Sequence, residues 1–528
     1  MAQLERRGRG ASDGTFYGAV IWLDRETVAP RMPGNAETER QDLERAILAA
    51  TEDIASLIAD CQGEAAEILA FQIAMLEDDA LRAPALDAIA SGQPADCAWS
   101  EALDAEIHGY EVSDDEYFRA RAADLKDIRN RVLRRLSGAE GRRPGGSGVF
   151  VGEDMAPTDF LEIDWSHGGA IALWGGSPSS HVAMLARSRG IPMVVGLGLE
   201  TAKDCKHAIV DGAQGLALFE PSEDDRDDYA RKAETEAAIR QAESRFLFES
   251  ARLKDGTLIQ LLINVASVEE LDHLDPRSCD GIGLMRSEFL FGDGSMLPDE
   301  EQQYRAYRRL LEWAGDRPVT VRTLDAGGDK PIRGLTPQGE TNPFLGLRGI
   351  RLSLAHPDIF RTQLKALARA APHGNMKVMI PMVTVAEELA AAGALFDDCV
   401  EALRSAGISA SRPPLGIMVE VPAVAIAPEC FSTAAFFSIG SNDLAQYVTA
   451  ASRDAPAVGS LNDPGHPAML KLIAGIAAYG REHAIPVSLC GDMASDLRYL
   501  PALIAAGLRS ISVAPSRVAR VKAALAEI

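Results

Sequence analysis

Two hydrophobic patterns divide the chain, and each predicts a different kind of structure. Between Asn35 and Ser137 apolar residues recur at steps of three and four, as in helices that pack one face against a core. The two clearest runs are Leu43, Ile47, Ala50, Ile54, Leu57 and Ile58, and Phe118, Ala122, Leu125, Ile128, Val132 and Leu136. Gly and Pro are rare inside them, and SGQP at Ser91–Pro94 is typical of a turn. A helical bundle with hairpin connections is predicted here.

Short apolar runs, typical of strands, lie on both sides of the predicted bundle. One is in the opening stretch GASDGTFYGAVIWL, and the others are GVFVGED, GAIALWGG, IPMVVGLG and HAIVDG. We therefore expect one α/β domain, built from residues 1–24 plus 138–221, with residues 25–137 inserted into it as the helical domain. Residues 222–250 are highly charged and lack Gly and Pro, which predicts a linker helix.

The remaining residues, 251–528, alternate between strand-like and helical patterns. The strand-like runs are LIQLLINV, GIGLM, VTVRTLDAGG, KVMIPMV, LGIMVEV, FFSIGSND, VSLCGD and SISVAP. They are almost continuously apolar, as parallel strands buried on both faces must be. So many βα units predict a (β/α)₈ barrel, and a doubly wound open sheet is the alternative architecture.

Composition and charge narrow the classes of function. The chain has 528 residues, which is enough for two to four domains. Its net charge of −24 disfavours nucleic acid and anionic membranes as partners and favours a partner with a basic docking face. Seven cysteines without CxxC spacing do not predict a disulfide framework. No signal peptide or membrane-spanning run is found, so a cytoplasmic location is expected.

Polar residues of the C-terminal half stand where the predicted strands end. They are Arg286, Arg322 followed by Asp325, Glu420, Asn442 with Asp443, and Cys490. An arginine after a single strand is usually part of a surface ion pair. In a barrel, however, all these positions face one mouth, where barrel active sites are built. Five strands that end in charged or reactive groups therefore predict a site.

The residue types indicate a small polyanion as the ligand. Glu420 and Asp443 offer hard oxygen ligands, and two carboxylates with substrate oxygens are a common way to hold Mg²⁺. Arg286, Arg322 and Arg453 can bind a phosphate and a carboxylate through paired, charge-assisted hydrogen bonds. A divalent ion beside such groups also stabilises a developing enolate.

Two further residues have both a chemical and a structural interpretation. Cys490 offers a proton for general acid catalysis, but a buried core thiol is the commoner fate of cysteine. His181 follows the loop GGSPSS, in which Ser179 or Ser180 can cap the next helix. A helix start suits an attached phosphate, and neutral imidazole is a competent nucleophile. A histidine without chemistry in the capping region is the alternative.

Several sequence blocks together resemble enzyme I of the bacterial phosphoenolpyruvate (PEP):sugar phosphotransferase system. They are GIGLMRSEFLF, VRTLDAGGDKP, NPFLGLRGIRL, GIMVEVPA, FFSIGSNDLAQY, LNDPGHPAML and LCGDMASD. Their order and spacing are similar to those of the family, and the likeness covers nearly the full chain. The stretch EILAFQIAMLEDDAL also resembles the part of that family which docks the histidine phosphocarrier protein HPr.

The resemblance implies a role for ten residues. These are His181 as the residue phosphorylated on Nε2, Arg286, Arg322, Asn442 and Arg453 as PEP-binding groups, Glu420 and Asp443 as Mg²⁺ ligands, Cys490 as the acid that protonates the pyruvate enolate, and Lys330 and Arg348 as supporting groups. The family further implies a homodimer joined through the barrels and a mobile His domain that carries phosphate to an HPr-like carrier.

A few positions depart from the family pattern. Ser177 stands where glycine is common, and Ser179 stands where threonine is common, so hydroxyl capping is retained. Asp492 replaces the usual glutamate and keeps its charge on a shorter side chain. A polar residue that commonly supports the phosphohistidine falls near Phe160. These differences bear on which carrier protein is recognised more than on the phosphoryl-transfer chemistry.

Three alternative functions are weighed against this hypothesis. A dikinase or PEP synthase needs a nucleotide-binding domain, for which there is no Walker A loop and no spare length. A metal-dependent aldolase or lyase barrel would leave His181 and the helical insertion unexplained. A regulatory paralogue that feeds a non-transport acceptor differs only in its downstream partner, although no sensory domain precedes the opening strand.

Overall fold

The structure, a computed structural model, describes most of the chain. The described residues are 4–23, 34–59, 64–111, 116–138, 147–198, 205–291, 297–452 and 458–528, without the single positions 179, 329, 331, 333 and 338. The chain divides into two compact units, Met1–Glu236 and Ala237–Ile528. Within the described ranges, no helix combines the length and apolar character needed to cross a bilayer.

The N-terminal unit contains an eight-stranded sheet. Its strands are β1 (Leu4–Arg7), β2 (Arg9–Ser12), β3 (Thr15–Trp22), β4 (Val149–Gly152), β5 (Ala170–Leu173), β6 (Met193–Val195), β7 (His207–Asp211) and β8 (Leu216–Phe219). Their order in the sheet is β1-β8-β7-β3-β4-β5-β6-β2. Strands β3 to β6 run parallel, whereas the flanking pairs are antiparallel. Successive side chains of a strand point to opposite faces, so Phe150 and Ile171 join one core while Val149 and Ala170 join another.

The predicted helical insertion is present between β3 and β4. Its helices are α1 (Ala36–Ala59), α2 (Glu64–Glu77), α3 (Asp79–Ala90), α4 (Ala95–Glu111) and α5 (Glu116–Leu136). Their apolar faces share a core of their own around Trp99, Leu43 and Ile54, all of which are fully buried. The predicted turn at SGQP separates α3 from α4. Three further helices follow, namely α6 (Pro157–Glu162), α7 (His181–Arg189) and α8 (Glu223–Ser244).

The C-terminal unit is a closed barrel of eight parallel strands, which confirms the predicted (β/α)₈ fold. The strands are β9 (Gln260–Val265), β10 (Ile282–Arg286), β11 (Val319–Arg322), β12 (Met376–Ile380), β13 (Leu415–Val419), β14 (Phe437–Ile439), β15 (Val487–Leu489) and β16 (Ser510–Val513). The last strand, β16, pairs with the first, β9, so the open-sheet alternative is wrong. Closure places the carboxyl ends of all eight strands around one mouth.

Helices surround the barrel and bury their apolar faces against it. They are α9 (Glu300–Ala314), α10 (Ile350–Ala355), α11 (Pro357–Ala370), α12 (Ala386–Ser405), α13 (Pro422–Ile426), α14 (Ser441–Thr449), α15 (Pro467–Glu482), α16 (Leu500–Ala505) and α17 (Val518–Leu525). Helix α11 begins with a proline, which is favourable at a first helical position. Its residues Phe360, Leu364 and Leu367 recur on one face and are buried. Each such burial contributes about 1.5–3 kcal/mol, which fixes the helix on the strands.

Candidate active site

A cavity opens at the carboxyl ends of the barrel strands. Seven predicted site residues line it, namely Arg286, Arg322, Lys330, Glu420, Asn442, Asp443 and Cys490. The predicted supporting residue Arg348 is buried and bonds to Asp443. Arg453 lies outside the described residues. Both positive and negative groups face this cavity.

Asp325 is the centre of the charged groups behind this cavity. Its side chain is fully buried, and its Oδ2 atom lies 3.1 Å from Arg322 Nη1 and 3.0 Å from Lys330 Nζ. Arg348 adds two parallel hydrogen bonds of 3.0 Å, from Nε to Oδ1 and from Nη2 to Oδ2. Burial alone would raise the pKa of Asp325, but the three cations outweigh it and hold that pKa well below its ordinary value. Asp325 therefore stays ionised and orients all three.

Two of these cations also contact other acidic groups. Arg348 Nη2 donates to Asp443 Oδ2 at 3.0 Å, so one guanidinium bridges two carboxylates. Arg322 donates through Nη2 to Glu288, which also accepts the backbone N–H of Asp325 at 3.1 Å. The Nε donor of Arg322 is buried and has no partner within the described part of the chain. A buried donor without a partner is costly, and a bound anion could satisfy it.

Glu420 is a buried carboxylate whose negative charge is poorly compensated. It directly follows β13, is 1% exposed, and accepts the backbone N–H of Met382 at 2.7 Å. Met382 holds an unusual positive φ of 59°, which orients that N–H. Burial, reinforced by the nearby Asp325 and Asp443 carboxylates, raises the pKa of Glu420 to about 8.

The residues present fit a divalent cation that shares its coordination with a ligand. In the described ranges, no three His, Cys, Asp or Glu side chains converge as a complete metal cluster. Glu420 and Asp443 nevertheless line the same cavity, and the raised pKa of Glu420 marks negative charge that lacks compensation. Hard carboxylate oxygens are the ligands Mg²⁺ prefers, and the remaining coordination positions commonly go to substrate and water.

Cys490 presents a neutral thiol to the cavity. It follows β15 directly, is 4% exposed, and lies 3.6 Å from the Ile439 carbonyl oxygen, to which Sγ–H donates. Burial raises the pKa of the thiol, and the Ser438 hydroxyl and Arg322 only partly offset that effect. The side chain therefore keeps its proton at neutral pH, as a general acid must.

Asn442 is held by Asp492 through two reciprocal hydrogen bonds. Its Nδ2 donates to the Asp492 carboxylate, and its Oδ1 accepts the Asp492 backbone N–H, each at 2.9 Å. The aspartate that departs from the family pattern therefore still reaches its neighbour. This pairing fixes the Asn442 amide at the edge of the cavity.

His181 is the first residue of α7 in the N-terminal unit. Ser180 is the N-cap of this helix, and its hydroxyl accepts the Ala183 N–H at 3.3 Å. It is one of the two serines predicted to cap the helix. The other, Ser179, lies outside the described residues. Arg187 donates to the carbonyl oxygens of Pro178 and Ala11, both at 2.8 Å, which ties the loop to β2. The histidine therefore follows a well-anchored loop at a helix start.

Some contributions to the site were not predicted from the sequence. From the sequence, Asp325 stands out only as a neighbour of Arg322, and Glu288 and Gln363 carry no signal of their own. Gln363 is buried on α11 and accepts the Leu324 N–H at 3.0 Å. Phe160 itself cannot supply such a polar group, because its apolar side chain is fully buried against Trp165, with ring centroids 5.0 Å apart.

Comparison with known proteins agrees with this geometry. Three domain families of PEP-utilising enzymes match the chain: the PEP-binding domain over residues 240–528, the N-terminal domain over residues 7–121 and the mobile domain over residues 146–215. The barrel with its charged mouth therefore corresponds to the domain described as PEP-binding.

Full-length relatives make the classification specific. The chain is 34% identical to the phosphoenolpyruvate-protein phosphotransferase of Geobacillus stearothermophilus, with 99% of this chain and 93% of that protein covered. It is 36% identical to the protein of the same name from Haloferax volcanii, with 100% and 95% covered. The Bacillus subtilis protein is 33% identical, with 97% and 93% covered. This chain belongs to the phosphoenolpyruvate-protein phosphotransferase family.

Proposed function

We propose that this protein transfers the phosphoryl group of PEP to its own His181 and then to a histidine of an HPr-like carrier, releasing pyruvate. The main observation behind this proposal is the set of side chains that meet at the mouth of the barrel. There Arg286, Arg322 and Lys330 face the same cavity as the neutral thiol of Cys490. Family membership supports the same reaction.

The cationic groups bind and orient the substrate. Arg286 is exposed at the end of β10, and Arg322 is held rigidly by Asp325 and Glu288. Their guanidinium groups match the phosphate and carboxylate of PEP, with Asn442 and Arg453 as further predicted contacts. Fixed positive charge of this kind stabilises the negative charge that spreads over a transferring phosphoryl group.

The chemical step moves one phosphoryl group and one proton. The neutral imidazole of His181 attacks phosphorus through Nε2, and the bond between phosphorus and the enol oxygen breaks. Pyruvate enolate leaves with that electron pair, and the S–H of Cys490 then protonates its methylene carbon. The Cys490 thiolate is reprotonated from solvent before the next cycle. Protonation to the keto form makes the transfer effectively downhill.

Mg²⁺ is the proposed cofactor, with Glu420 and Asp443 as its protein ligands. When bound, it would supply positive charge to the phosphate, the carboxylate and the developing enolate. Arg348 holds Asp443 in place through its bond to the carboxylate, and Met382 does the same for Glu420. Lys330 and Arg348 thus support the site through Asp325 and Asp443.

The predicted domain limits, the homodimer through the barrel, the cytoplasmic location and the sugar-uptake role belong to the same proposal. The helical insertion, predicted as the carrier-docking domain, offers a folded surface separate in sequence from the barrel. A phosphotransfer assay against several purified HPr-like proteins identifies the acceptor, and sedimentation velocity measures the oligomeric state.

Labelling with ³²P-PEP and Mg²⁺ tests the central proposal. The wild-type protein should take up acid-labile label, and His181→Ala should take up none. His167→Ala is a matched control, since that histidine is exposed on a different turn and should label normally. Acid-labile label retained in His181→Ala would contradict the assignment of His181 as the phosphorylated residue.

A further inference from the structure

Cys490 lies just beyond the end of the shortest strand pairing in the barrel. Strands β15 and β16 pair only at Leu489 and Ile511, so their ladder stops one residue before the cysteine. On the opposite side, the backbone N–H and the thiol of Cys490 both donate to the carbonyl of Ile439 in β14. The thiol is therefore restrained toward β14, and its restraint on the β16 side must come from elsewhere.

The side chain of Asn264 supplies that second restraint. Asn264 lies on β9, on the far side of β16 from β15, and its Nδ2 donates to the carbonyl oxygen of Cys490 at 3.1 Å. The same amide donates to the carbonyl of Ser512 at 3.3 Å. Its Oδ1 accepts the Ser512 hydroxyl at 2.6 Å. Both ends of the amide are thus used, which fixes its orientation.

The neighbouring strand leaves room for this arrangement. A Cβ atom added to Gly283 on β10 would lie 2.5 Å from Ser512 Oγ and 2.9 Å from Leu262 Cβ. Gly283 therefore permits the buried Ser512 hydroxyl to point at Asn264. Three strands cooperate to place one amide against the backbone of the cysteine.

We infer that Asn264, oriented by Ser512, is a positioning residue that holds Cys490 at the angle needed to protonate the enolate. This inference rests on the proposed function, because it requires Cys490 to be the acid. Asn264 acts through the Cys490 backbone and need not touch the substrate. Its loss should therefore impair protonation of the enolate while leaving phosphoryl transfer to the histidine largely intact.

The experiment compares two rates in a single turnover of the full-length protein with PEP and Mg²⁺. Quenched flow measures acid-labile phosphoenzyme, and lactate dehydrogenase with NADH measures the keto form of pyruvate. The variants are Asn264→Ala, Ser512→Ala, Cys490→Ala and Asn375→Asp. The last is a matched control, since Asn375 is exposed and precedes β12 at the amino end of that strand.

In the wild type and in Asn375→Asp, pyruvate should appear together with the phosphoenzyme. In Asn264→Ala, the rate of pyruvate formation should be about tenfold or more below the rate of phosphoenzyme formation. The reason is that a small misplacement of a reacting group has large kinetic effects. Ser512→Ala should show a smaller lag in the same direction. If Asn264→Ala does not fold, Ser512→Ala still tests the inference, because that substitution removes only a single hydroxyl.

Two different results separate the two hypotheses. If pyruvate and phosphoenzyme appeared at the same rate in Cys490→Ala, Cys490 would not be the acid that protonates the enolate. The proposed function of that residue would then be wrong. A clear lag in Cys490→Ala, with coincident rates in folded Asn264→Ala and Ser512→Ala, would overturn the positioning role alone. An equal decrease in both rates for the Asn264 and Ser512 variants would indicate a merely structural role and would also overturn it.

Discussion

A cluster of buried charge lies in each unit, and the two clusters compensate the buried charge in different ways. The mouth cluster in the barrel consists of Arg322, Asp325, Lys330, Arg348 and Asp443. The junction cluster in the N-terminal unit joins α2, α5 and α6 and consists of Gln72, Asp127, Arg131, Thr158 and Glu162. Each has a completely buried aspartate at its centre.

The partners of the central aspartate differ. Asp325 contacts three cations, and its pKa lies well below the ordinary value despite its burial. Asp127 accepts hydrogen bonds from the neutral groups of Thr158 and Gln72, whereas the nearby cation Arg131 bonds to Glu162 at 2.7 Å. Burial therefore dominates and raises the pKa of Asp127.

The difference teaches how to distinguish a site from a structural contact. A perturbed pKa alone occurs in both clusters, so it does not mark function. Only the mouth cluster combines fixed cations with a cavity that they face. The junction cluster packs helices of the N-terminal unit together.

The largest effect is expected from Asp325→Asn, which breaks the mouth cluster at its centre. Removing the negative charge leaves the buried Arg322 and Arg348, and the half-buried Lys330, without their common partner. Loss of one member of a buried ion pair costs about 3–5 kcal/mol of folding free energy. We expect this loss in the barrel, together with abolished labelling by PEP, because both arginines lose their orientation.

Hydrogen exchange of peptides from β11 and β12, as a function of urea, measures the barrel without interference from the N-terminal unit. Peptides from α1 to α5 serve as the internal control and should exchange as in the wild type. Unchanged barrel protection with normal labelling would show that Asp325 is dispensable, and the contrast between the two clusters would disappear.

The fold was predictable largely because strand patterns are local. The eight barrel strands are apolar runs that end in polar groups, so closure alone brings Arg286, Glu420 and Cys490 to one cavity. In contrast, β1 and β2 carry the sequences LERR and RGAS and were not predicted, because their pairing with β8 and β6 stabilises them rather than their own pattern.

The supporting contacts of the site could not be predicted, since they join residues far apart in sequence. Gln363 bonds to Leu324 across 39 positions, and Asn264 bonds to Cys490 across 226. Glutamine and asparagine are common residue types with no sequence signal for such a role. Met382 is less predictable still, because its positive φ arises where Glu420 accepts its N–H.

The next largest effect concerns pH and Mg²⁺ at the edge of the mouth cluster. With a pKa of about 8, Glu420 is mostly protonated below that pH, and a metal ion must displace the proton. We expect the apparent Mg²⁺ affinity to rise about tenfold per pH unit between pH 6 and 8 and to level off above, as release of one proton requires. Calorimetry in buffers of different ionisation enthalpy measures that release.

Glu420→Gln is the control, because its amide cannot ionise and should bind Mg²⁺ weakly at every pH. An affinity that does not change with pH in the wild type would contradict the raised pKa. Such a result would mean that Glu420 is already ionised over this pH range, as Asp325 is beside its three cations.

A third, smaller effect is expected from Gln363→Met, which keeps the side-chain length and removes the polar atoms. The Gln363 amide accepts from Leu324 and donates to Ser287 Oγ and Tyr307 OH, each donation at 3.1 Å. Ser287 follows Arg286 directly, so Gln363 connects the segments that carry the two substrate arginines. Unsatisfied buried groups cost about 1–3 kcal/mol. KM for PEP should rise about tenfold, more than kcat falls.

Gln303→Met is a matched control for this variant. Gln303 is equally buried and accepts from the same Tyr307 hydroxyl, but its other bond goes to the Pro298 carbonyl, away from both arginines. It should lose a similar amount of stability and leave KM unchanged. Equal KM values in the two variants would reduce Gln363 to a packing role.

The smallest effect is expected from Asp127→Asn, the counterpart of the first substitution in the junction cluster. An asparagine fits the same contacts, since its oxygen can accept from Gln72 Nε2 and Thr158 N–H while its amide donates to the Thr158 hydroxyl. Because the folded pKa of Asp127 is raised, its stabilising contribution is complete below the unfolded pKa and is lost as pH rises through the folded value. Asparagine cannot ionise, so this loss disappears.

We therefore expect Asp127→Asn to change the stability of the N-terminal unit by at most about 1 kcal/mol and to flatten its decline with rising pH. Hydrogen exchange of α5 and α6 peptides at pH 5 and pH 7.5 measures both quantities. A loss as large as that of Asp325→Asn would mean that Asp127 is ionised and essential for charge balance. The two buried aspartates would then be equivalent, and the three cations around Asp325 would no longer distinguish the mouth cluster from the junction cluster.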